Sequence, residues 1–366
     1  MMKALILSGG TGSRLRPLTY TNAKQLIPVA NKPALFYIIE KVVNANISDI
    51  GIIVGSTHKE VQSSVGDGSR WNARISYIHQ KEPLGLAHAV KTAADFIGDS
   101  DFIMLLGDNL FDMGLGSFID GFYASGSNAS VLLHRMDNPA GFGVAVVENN
   151  HIVRLVEKPP EPISNLIITG IYAFDKTIFD AIAKTAPSKR GELEITDAMQ
   201  VMLDMGGSIC YEITKGWWKD TGKLPDLLEA NQLMLDGLES STYINRNNDC
   251  LCTGKIIADS SVLITDSIIR GPVAIGSNSI IKGSYIGPYA SIGSSVKVDG
   301  CEVENSIIME GSKLRNIGKR VSGSLIGKNT VVKGTSQRPD SICFLIGDNS
   351  EIYIQSGSRG NFAEGI

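Results

Sequence analysis

The sequence lacks a strong charge imbalance and long apolar runs, and both absences exclude classes of function. Its 34 lysines and arginines nearly balance 38 aspartates and glutamates, giving a net charge of −4, which argues against a nucleic-acid partner. No apolar stretch has the length of a membrane span, and a glycine-rich segment interrupts the first apolar run before it resembles a secretion signal. We therefore expect no nucleic acid and no membrane as partners.

Cysteine and histidine are scarce. The five cysteines are Cys210, Cys250, Cys252, Cys301 and Cys343. The pair at 250 and 252 has no further ligands at metal-binding spacing, and an odd, scattered set fits a reducing compartment. We therefore expect a cytoplasmic protein. Five histidines are present, and none follows His151.

The 366 residues are enough for two domains, and the patterns divide accordingly. In the first half, strand-like runs at 50–54, 75–80, 102–106, 130–134 and 167–174 alternate with helical patterns at 34–46, 85–97, 194–205 and 224–238. Such alternation predicts an α/β Rossmann-like domain with a mostly parallel sheet and helices on both faces. We place this domain at residues 1–240.

The second half, residues 241–366, follows a hexapeptide period. Ile280, Ile286, Ile292 and Val298 recur at this interval, and isoleucine–glycine pairs are frequent. A hexapeptide period with apolar residues facing inward and glycines at corners predicts a left-handed parallel β-helix. The period is imperfect between 301 and 320, which predicts irregular coils there, and residues 337–366 read as a loose tail.

A glycine-rich loop follows the first apolar strand, at residues 3–7. Its residues are Gly9, Gly10, Thr11, Gly12 and Ser13, with Arg14, Arg16 and Lys24 close behind. Bare backbone N–H groups and cations at the end of a strand suit a polyphosphate. The spacing matches neither usual nucleotide-binding fingerprint, so an ordinary strand-ending turn is an equal alternative on these residues alone.

Residues 9–33, with the segments Lys24-Gln25-Leu26-Ile27-Pro28 and Asn31-Lys32-Pro33, resemble the signature of sugar-nucleotide pyrophosphorylases. The form Ala23-Lys24-Gln25-Leu26 and the hexapeptide tail are most similar to the long glucose-1-phosphate thymidylyltransferases. The resemblance implies that a sugar 1-phosphate attacks the α-phosphorus of a nucleoside triphosphate. Pyrophosphate then leaves in a single in-line displacement.

The resemblance assigns catalytic roles to Arg14 and Lys24, which would stabilise charge on the leaving pyrophosphate. It makes Asp108 and Asp220 ligands of Mg²⁺, the expected cofactor. Taken alone, Asp108 could equally cap a following helix, and Asp220 could be a turn residue before Gly222.

On the nucleotide side, the resemblance implies contacts from the glycine loop and from Leu7, Gln25, Gln80, Pro83 and Gly85. A glutamine amide offers a donor and an acceptor that match the edge of a pyrimidine. We therefore expect dTTP or UTP as the nucleotide, with thymine preferred by at most roughly 1–3 kcal/mol for its one methyl group.

On the acceptor side, the resemblance implies that glucose 1-phosphate is held by Gly143, Glu157, Lys158, Ile168, Tyr172 and Arg190. In isolation, Glu157 and Lys158 read better as an exposed charge pair in a loop. Glu192 and Glu194 read as acidic residues that start a helix. Phe142 replaces a tyrosine that is usual in the short enzymes, so a hydroxyl contact is lost there.

Three other functions remain as alternatives. The enzyme could use another base or sugar, as UDP-glucose and GDP-mannose pyrophosphorylases do, or it could be a silent regulatory subunit that only binds nucleotide. Hexapeptide β-helices also occur in acyltransferases, which commonly use a histidine base. Because the second half has no histidine, we expect the tail to be a scaffold that contributes to a homo-oligomer.

Overall fold

The computed structural model describes residues 2–10, 12–240, 246–247, 249–334 and 346–353. The strands of the first half are β1 (Lys3–Ser8), β2 (Pro28–Val29), β3 (Lys32–Pro33), β4 (Asp49–Val54), β5 (Arg74–His79), β6 (Phe102–Leu106), β7 (Asn109–Phe111), β8 (Ala129–Arg135), β9 (Val144–Glu148), β10 (His151–Val156), β11 (Leu166–Phe174), β12 (Ile209–Ile213) and β13 (Trp218–Asp220). The helices are α1 (Ala34–Asn44), α2 (His58–Val65), α3 (Leu86–Thr92), α4 (Ala94–Ile97), α5 (Gly116–Ser125), α6 (Ile178–Lys184), α7 (Ile195–Asp204) and α8 (Leu224–Gly237). None of the helices described is long and apolar enough to cross a membrane.

A nine-stranded sheet organises the first half, with the order β10-β9-β11-β6-β1-β4-β5, and in addition β8 pairs with β11 and β12 pairs with β8. Strands β6, β1, β4 and β5 are parallel, whereas β11 runs antiparallel to β6, β8 and β9. The Rossmann-like prediction is confirmed. The antiparallel strand matters for the site, because β11 brings a second set of residues to the carboxyl end of β6.

Each face of this sheet carries its own hydrophobic core. Helices α1, α2, α5 and α8 bury apolar side chains against one face, and α3, α4, α6 and α7 against the other. The strongly periodic segments fold as their patterns predict, because burying one apolar stripe on a sheet stabilises an amphipathic helix. The helix predicted at 85–97 is instead two helices, α3 and α4, separated at Ala93.

The second half is a left-handed parallel β-helix whose three flat sides are separate sheets. Its strands are β14 (Leu251–Thr253), β15 (Ile256–Ala258), β16 (Leu263–Thr265), β17 (Ile268–Arg270), β18 (Val273–Ile275), β19 (Ile280–Lys282), β20 (Tyr285–Ile286), β21 (Ala290–Ile292), β22 (Lys297–Asp299), β23 (Glu302–Val303), β24 (Ile307–Ile308), β25 (Lys313–Arg315), β26 (Leu325–Ile326) and β27 (Val331–Lys333). The sheets have the orders β14-β17-β20-β23, β15-β18-β21-β24-β26 and β16-β19-β22-β25-β27. The hexapeptide prediction is therefore confirmed.

Buried serine hydroxyls join successive coils. Ser267 Oγ accepts from the backbone N–H of Ser284, and Ser284 Oγ accepts from Cys301, each 17 residues further on. Later, Ser306 Oγ accepts from the N–H of Ser324, 18 residues on, so the repeat changes length across the segment that the sequence marks as irregular.

The predicted phase of the repeat was wrong at one position. Ile280 is 37% exposed, and Ile281 is the buried residue, whereas Ile286, Ile292 and Val298 face inward as expected. Successive side chains of a strand point to opposite faces, so a single-residue offset reverses the assignment.

The expected role of the glycines also differs. Gly276 does not have a left-handed backbone, and a Cβ there would lie 2.6 Å from the amide nitrogen of Ser294 in the next coil. Left-handed corners are instead formed by residues such as Asn278 and Gly283. At Gly276 and Gly293, the isoleucine–glycine pairs therefore allow close stacking of coils rather than sharp turns.

Helix α8 and the β2–β3 turn pack directly on the β-helix. Asn231, which is fully buried on α8, accepts hydrogen bonds at Oδ1 from Ala30 N and Ser291 Oγ and donates through Nδ2 to Tyr289 O. The predicted boundary between 240 and 241 stays a prediction, because residues 241–245 lie outside those described. The same holds for most of the predicted tail, of which only 346–353 are described, and for Cys343.

Candidate active site

A cavity of about 950 Å³ opens at the carboxyl ends of β1 and β6, next to β9 and β11. Its lining includes eight of the residues singled out from the sequence: Arg14, Asp108, Gly143, Glu157, Lys158, Ile168, Tyr172 and Asp220. The carboxyl edge of parallel strands is where open α/β sheets place ligands. Lys24 and Arg190 contact residues of this lining, and Gln25 and Gln80 lie beside the glycine loop, as described next.

The glycine loop leaves β1 and turns at Gly12, which has a left-handed backbone with φ of 62°. Thr19 Oγ1 donates to the carbonyl of Gly12 at 2.7 Å, and a Cβ at residue 12 would lie 2.8 Å from Thr19. Ser13 begins a single turn of 3₁₀ helix, Ser13–Leu15, that carries Arg14 to the cavity. Thr11 lies outside the described residues.

One buried cation contacts two carboxylates at the end of the cavity below this loop. Lys24 is only 7% exposed, and its Nζ donates a short hydrogen bond to Asp108 Oδ2. Asp220 Oδ1 lies 3.7 Å from the same Nζ, and Asp220 Oδ2 lies 4.0 Å from a guanidinium nitrogen of Arg14. The four side chains predicted as catalytic or metal-binding thus form one cluster.

The backbone holds the two aspartates together. Strand β13 pairs with β7 so that Asp220 lies opposite Asn109, and Thr221 donates to the carbonyl of Asp108 from both its N–H and its Oγ1. Burial and the neighbouring Asp108 carboxylate raise the pKa of Asp220 above its ordinary value, while Lys24 and Arg14 act against this rise. Because Asp108 is followed by a strand, β7, the helix-cap interpretation of this residue is wrong.

These residues fit a magnesium ion. Mg²⁺ is bound by one or two carboxylates together with phosphate oxygens and water, and Asp108 and Asp220 supply two carboxylates at one point. Asn109 follows Asp108 in the chain and lies opposite Asp220 in the β7–β13 pair, and its Oδ1 is buried without a hydrogen-bond partner among the described residues. Among the described residues, no cluster of three or more His, Cys, Asp or Glu side chains could enclose a metal alone. The donor set therefore suits an ion that also uses substrate oxygens.

The predicted nucleotide-side residues lie beside the glycine loop. A Cβ built on Gly9 would lie 3.3 Å from Gln80 Oε1, and one built on Gly10 would lie 3.8 Å from Gln25 Nε2. Leu7 is buried and accepts the N–H of Gly107 through its carbonyl.

The loop that carries Pro83 and Gly85 is tied to the other side of the cavity. Gly85 has φ of 105°, and a Cβ there would lie 2.4 Å from the carbonyl oxygen of Leu193. Leu193 N–H also donates to Leu84 O, and Ala87 N–H donates to Leu193 O. Pro83 itself is exposed at the tip of this loop.

A carboxylate and a threonine form the opposite wall. Thr196 Oγ1 donates to Glu157 Oε2 at 2.7 Å, and a Cβ at Gly143 would lie 2.9 Å from that oxygen and 3.0 Å from Thr196 Oγ1. Lys158 has a left-handed backbone with φ of 42° and places Nζ 3.4 Å from Glu157 Oε1. Because the Glu157 side chain is only 17% exposed, an exposed loop charge pair does not describe this arrangement.

Arg190 completes this wall. One guanidinium nitrogen lies 2.6 Å from Glu194 Oε1 and 3.4 Å from Glu157 Oε1. Glu194 is the residue before α7, as expected for an acidic helix start, but its carboxylate is buried against Arg190. Tyr172 is buried below the cavity, where burial and the nearby Glu157 carboxylate raise the pKa of its hydroxyl. Ile168 donates its N–H to Gly143 O at 2.9 Å.

Sequence reasoning missed three residues of this site, which are Thr169, Thr196 and Trp218. Thr196 orients Glu157, and Trp218 Nε1 donates to Thr169 O at 2.9 Å, which fixes β13 beside β11. Thr196 and Thr169 lie in segments already recognised, yet neither spacing nor composition distinguishes a hydroxyl that faces a carboxylate from one that faces the core.

Comparison with known proteins places this geometry in a family. The "Nucleotidyl transferase" family model matches residues 3–237. A "Glucose-1-phosphate thymidylyltransferase" of Streptomyces antibioticus is 43% identical over 357 residues, covering 97% of this chain and 100% of the relative. The "Bifunctional protein GlmU" of Methanocaldococcus jannaschii is 36% identical over 332 residues, covering 90% of this chain and 78% of the relative.

A solved structure from Bacillus anthracis, described as a candidate glucose-1-phosphate thymidylyltransferase in complex with sucrose, is also similar. It has a TM-score of 0.60 and 39% identity, and the match covers 64% of this chain and 95% of that one. The resemblance seen in the sequence is confirmed: the chain belongs to the nucleotidyl transferase family.

Proposed function

We propose that this chain transfers a thymidylyl group from dTTP, with UTP as a weaker substrate, to glucose 1-phosphate, giving dTDP-glucose and pyrophosphate. The observation that carries the proposal is the pair of opposed walls in one cavity. Lys24, Arg14 and two aspartates form one wall, and Glu157 and Lys158 form the other. The relatives named as thymidylyltransferases support the same reaction.

The cationic wall suits the triphosphate. Attack of one phosphate on another brings two anions together, so positioning and charge neutralisation carry most of the rate. The glycine loop would offer its N–H groups to the phosphates, and Lys24 Nζ would turn from Asp108 toward the bridging and leaving oxygens. Arg14, whose side chain is 58% exposed, is free to follow the departing pyrophosphate.

Asp108 and Asp220 would hold Mg²⁺. When bound, the ion would neutralise charge on the phosphate oxygens and orient them. Without it, these carboxylates would repel the triphosphate. The contact of Lys24 with both of them balances their charge in the free protein.

The opposite wall suits the acceptor. Glu157, oriented by Thr196, would accept hydrogen bonds from sugar hydroxyls, and Lys158 would hold the phosphate that attacks. Gly143 leaves room for the sugar beside the Glu157 carboxylate. Arg190, already paired with Glu194 and near Glu157, would keep Glu157 in place as well as add positive charge.

The tail has a structural role in this proposal. GlmU is named as a bifunctional protein, but the second half of this chain has no histidine to act as the general base of an acyltransferase. Its contacts with α8 and the β2–β3 turn support a scaffold for the first half, and we propose that its exposed flat sides contribute to a homo-oligomer. We propose a cytoplasmic location, which fits the odd and scattered set of five cysteines.

The experiment is pyrophosphate release from purified protein with glucose 1-phosphate, Mg²⁺ and one of dTTP, UTP, dCTP, ATP or GTP. We expect release with dTTP, less with UTP, and none after EDTA treatment. Release mainly with ATP or GTP would overturn the base assignment. If none of the five nucleotides gives pyrophosphate release and calorimetry shows that dTTP binds, a silent regulatory subunit would be favoured.

A further inference from the structure

The amide of Gln80 has its orientation fixed by the protein. Its nitrogen, Nε2, lies 3.2 Å from the carbonyl oxygen of Gly85 and 2.9 Å from Nδ1 of His88. A carbonyl oxygen can only accept a hydrogen bond, so the amide NH₂ group must face Gly85. Gln80 is 8% exposed, and rotation of its amide would leave polar atoms unpaired.

This orientation defines the state of His88. Because Gln80 Nε2 is a donor, His88 Nδ1 must accept, which requires a neutral imidazole with its proton on Nε2. His88 lies on α3, one turn after Gly85, and its own carbonyl accepts from Thr92 Oγ1 at 2.8 Å. The His88 ring on α3 therefore contacts Gln80 beside the loop of Pro83 and Gly85, which the resemblance assigns to the nucleotide.

The contacts of the Gln80 amide determine which of its atoms can still form a hydrogen bond with a ligand. Both hydrogens of Gln80 Nε2 are engaged, one with Gly85 and one with His88, so the nitrogen has none left to donate to a base. Its oxygen, Oε1, faces the glycine loop, where a Cβ on Gly9 would lie 3.3 Å away. The expected donor-and-acceptor role of Gln80 is thereby reduced to an acceptor.

We propose that His88 is a positioning residue that fixes Gln80 as an acceptor and so selects a pyrimidine with an N3–H over one without it. This inference rests on the proposed function. Thymine and uracil present N3–H to an acceptor, whereas cytosine presents a lone pair at N3, which Gln80 Oε1 would repel. A misplaced or unpaired polar group in a buried site discriminates far more strongly than a missing methyl group. His88 thus governs the choice between thymine and cytosine, and a separate contact must read the methyl group.

The test compares His88→Phe, which keeps a ring but removes the acceptor, with His88→Asn, whose Oδ1 can replace Nδ1 as an acceptor. The readout is the ratio of kcat/KM for dTTP to that for dCTP. We expect the ratio to fall about tenfold or more in His88→Phe, as for loss of one buried hydrogen bond, and to stay near the wild-type value in His88→Asn. The change should lie in KM for the nucleotide rather than in kcat or in KM for glucose 1-phosphate.

His151→Phe is the matched control, because the hydrogen bond that the described residues give this exposed histidine is to the carbonyl of Asn149 in its own turn. Calorimetric binding of dTTP and dCTP, measured without sugar phosphate, gives the same ratio even if no turnover occurs. A changed binding ratio without turnover would support the role of His88 and reject the proposed reaction. An unchanged ratio in a folded His88→Phe protein, or an equal loss in His88→Asn, would overturn the inference.

Discussion

The ammonium of Lys24 lies 3.7 Å from the nearer carboxylate oxygen of Asp220 and also contacts Asp108, so one buried cation serves two carboxylates. Replacing it by methionine keeps its length and removes its charge. We expect Lys24→Met to lower kcat by about 10²–10³-fold, the usual effect of deleting a charge-stabilising group, and to lower the melting temperature. Steady-state kinetics and thermal unfolding measure both effects.

Lys32→Met is the control for this variant, because Lys32 forms a half-exposed pair with Glu40. Such pairs contribute about 0–1 kcal/mol. A folded Lys24→Met protein with kcat within fivefold of wild type would contradict the role of Lys24.

The raised pKa of Asp220 predicts that the stability of the fold depends on pH in an unusual direction. Its folded-state pKa is raised, first by burial and then by Asp108, so the folded protein binds this proton more tightly than the unfolded chain. Ionisation of Asp220 therefore destabilises the fold, and this effect grows as pH rises from the ordinary aspartate pKa of about 3.9 through the raised folded-state pKa. In EDTA, Asp220→Asn should raise the free energy of unfolding at pH 7, and the gain should disappear near pH 4.

Urea unfolding at the two pH values measures this difference. Asp99→Asn is the comparison, because Asp99 is highly exposed and Lys176 lowers its pKa. Asp99→Asn should lower the free energy of unfolding slightly, whereas Asp220→Asn should raise it. Lower stability of Asp220→Asn than of wild type at pH 7 would contradict the account.

Gly143 leaves the space that the acceptor needs. A Cβ there would meet Glu157 Oε2 at 2.9 Å and Thr196 Oγ1 at 3.0 Å. We expect Gly143→Ala to raise KM for glucose 1-phosphate about tenfold by displacing the Glu157 carboxylate, with a smaller effect on KM for dTTP. Gly121→Ala, on α5 with open space around its Cβ, is the control. Equal changes in KM for glucose 1-phosphate and in KM for dTTP would contradict a specific role of Gly143 in binding the acceptor.

Leu18 precedes Thr19, whose hydroxyl bonds the carbonyl of Gly12 in the glycine loop. Leu18 packs on a buried cluster formed by Leu228 of α8 with Ile307 and Met309 of the β-helix. We expect Leu18→Ala to cost about 1–3 kcal/mol of stability, because Leu18 is only partly buried, and to raise KM for dTTP by loosening the loop. Leu263→Ala, which alters a 47% exposed side chain on the β-helix, should do neither. An unchanged KM would show that the β-helix does not support nucleotide binding through this contact.

Much of the fold follows from the sequence because burial imposes regular patterns. The predicted strands at 102–106 and 167–174 are largely apolar, and the structure has them as β6 and β11 within one residue. Sequence periodicity gives no direction for β11, whose antiparallel course depends on pairing with β6 and β8. The error at Ile280 arose similarly, since neighbouring isoleucines at 280 and 281 leave the phase of the repeat undetermined.

The sequence predicts the residues of the candidate site that belong to a recognisable motif. It does not predict residues whose role depends on a contact in the folded structure. Lys24, Asp108 and Asp220 were found through the resemblance, and the structure brings them together. Thr196 and His88 were missed, because their importance depends on the atoms that they orient. Such roles need coordinates, since hydrogen-bond partners far apart in the chain leave no spacing to detect.

The central claim is that the sugar phosphate attacks the nucleotide phosphorus directly, with no covalent intermediate on the protein. The most direct measurement is the configuration at the α-phosphorus after reaction of a single diastereomer of α-thio-dTTP with glucose 1-phosphate, read by phosphorus NMR of the product. A single in-line displacement predicts inversion. Retention would require two displacements through a residue of the protein and would contradict the account.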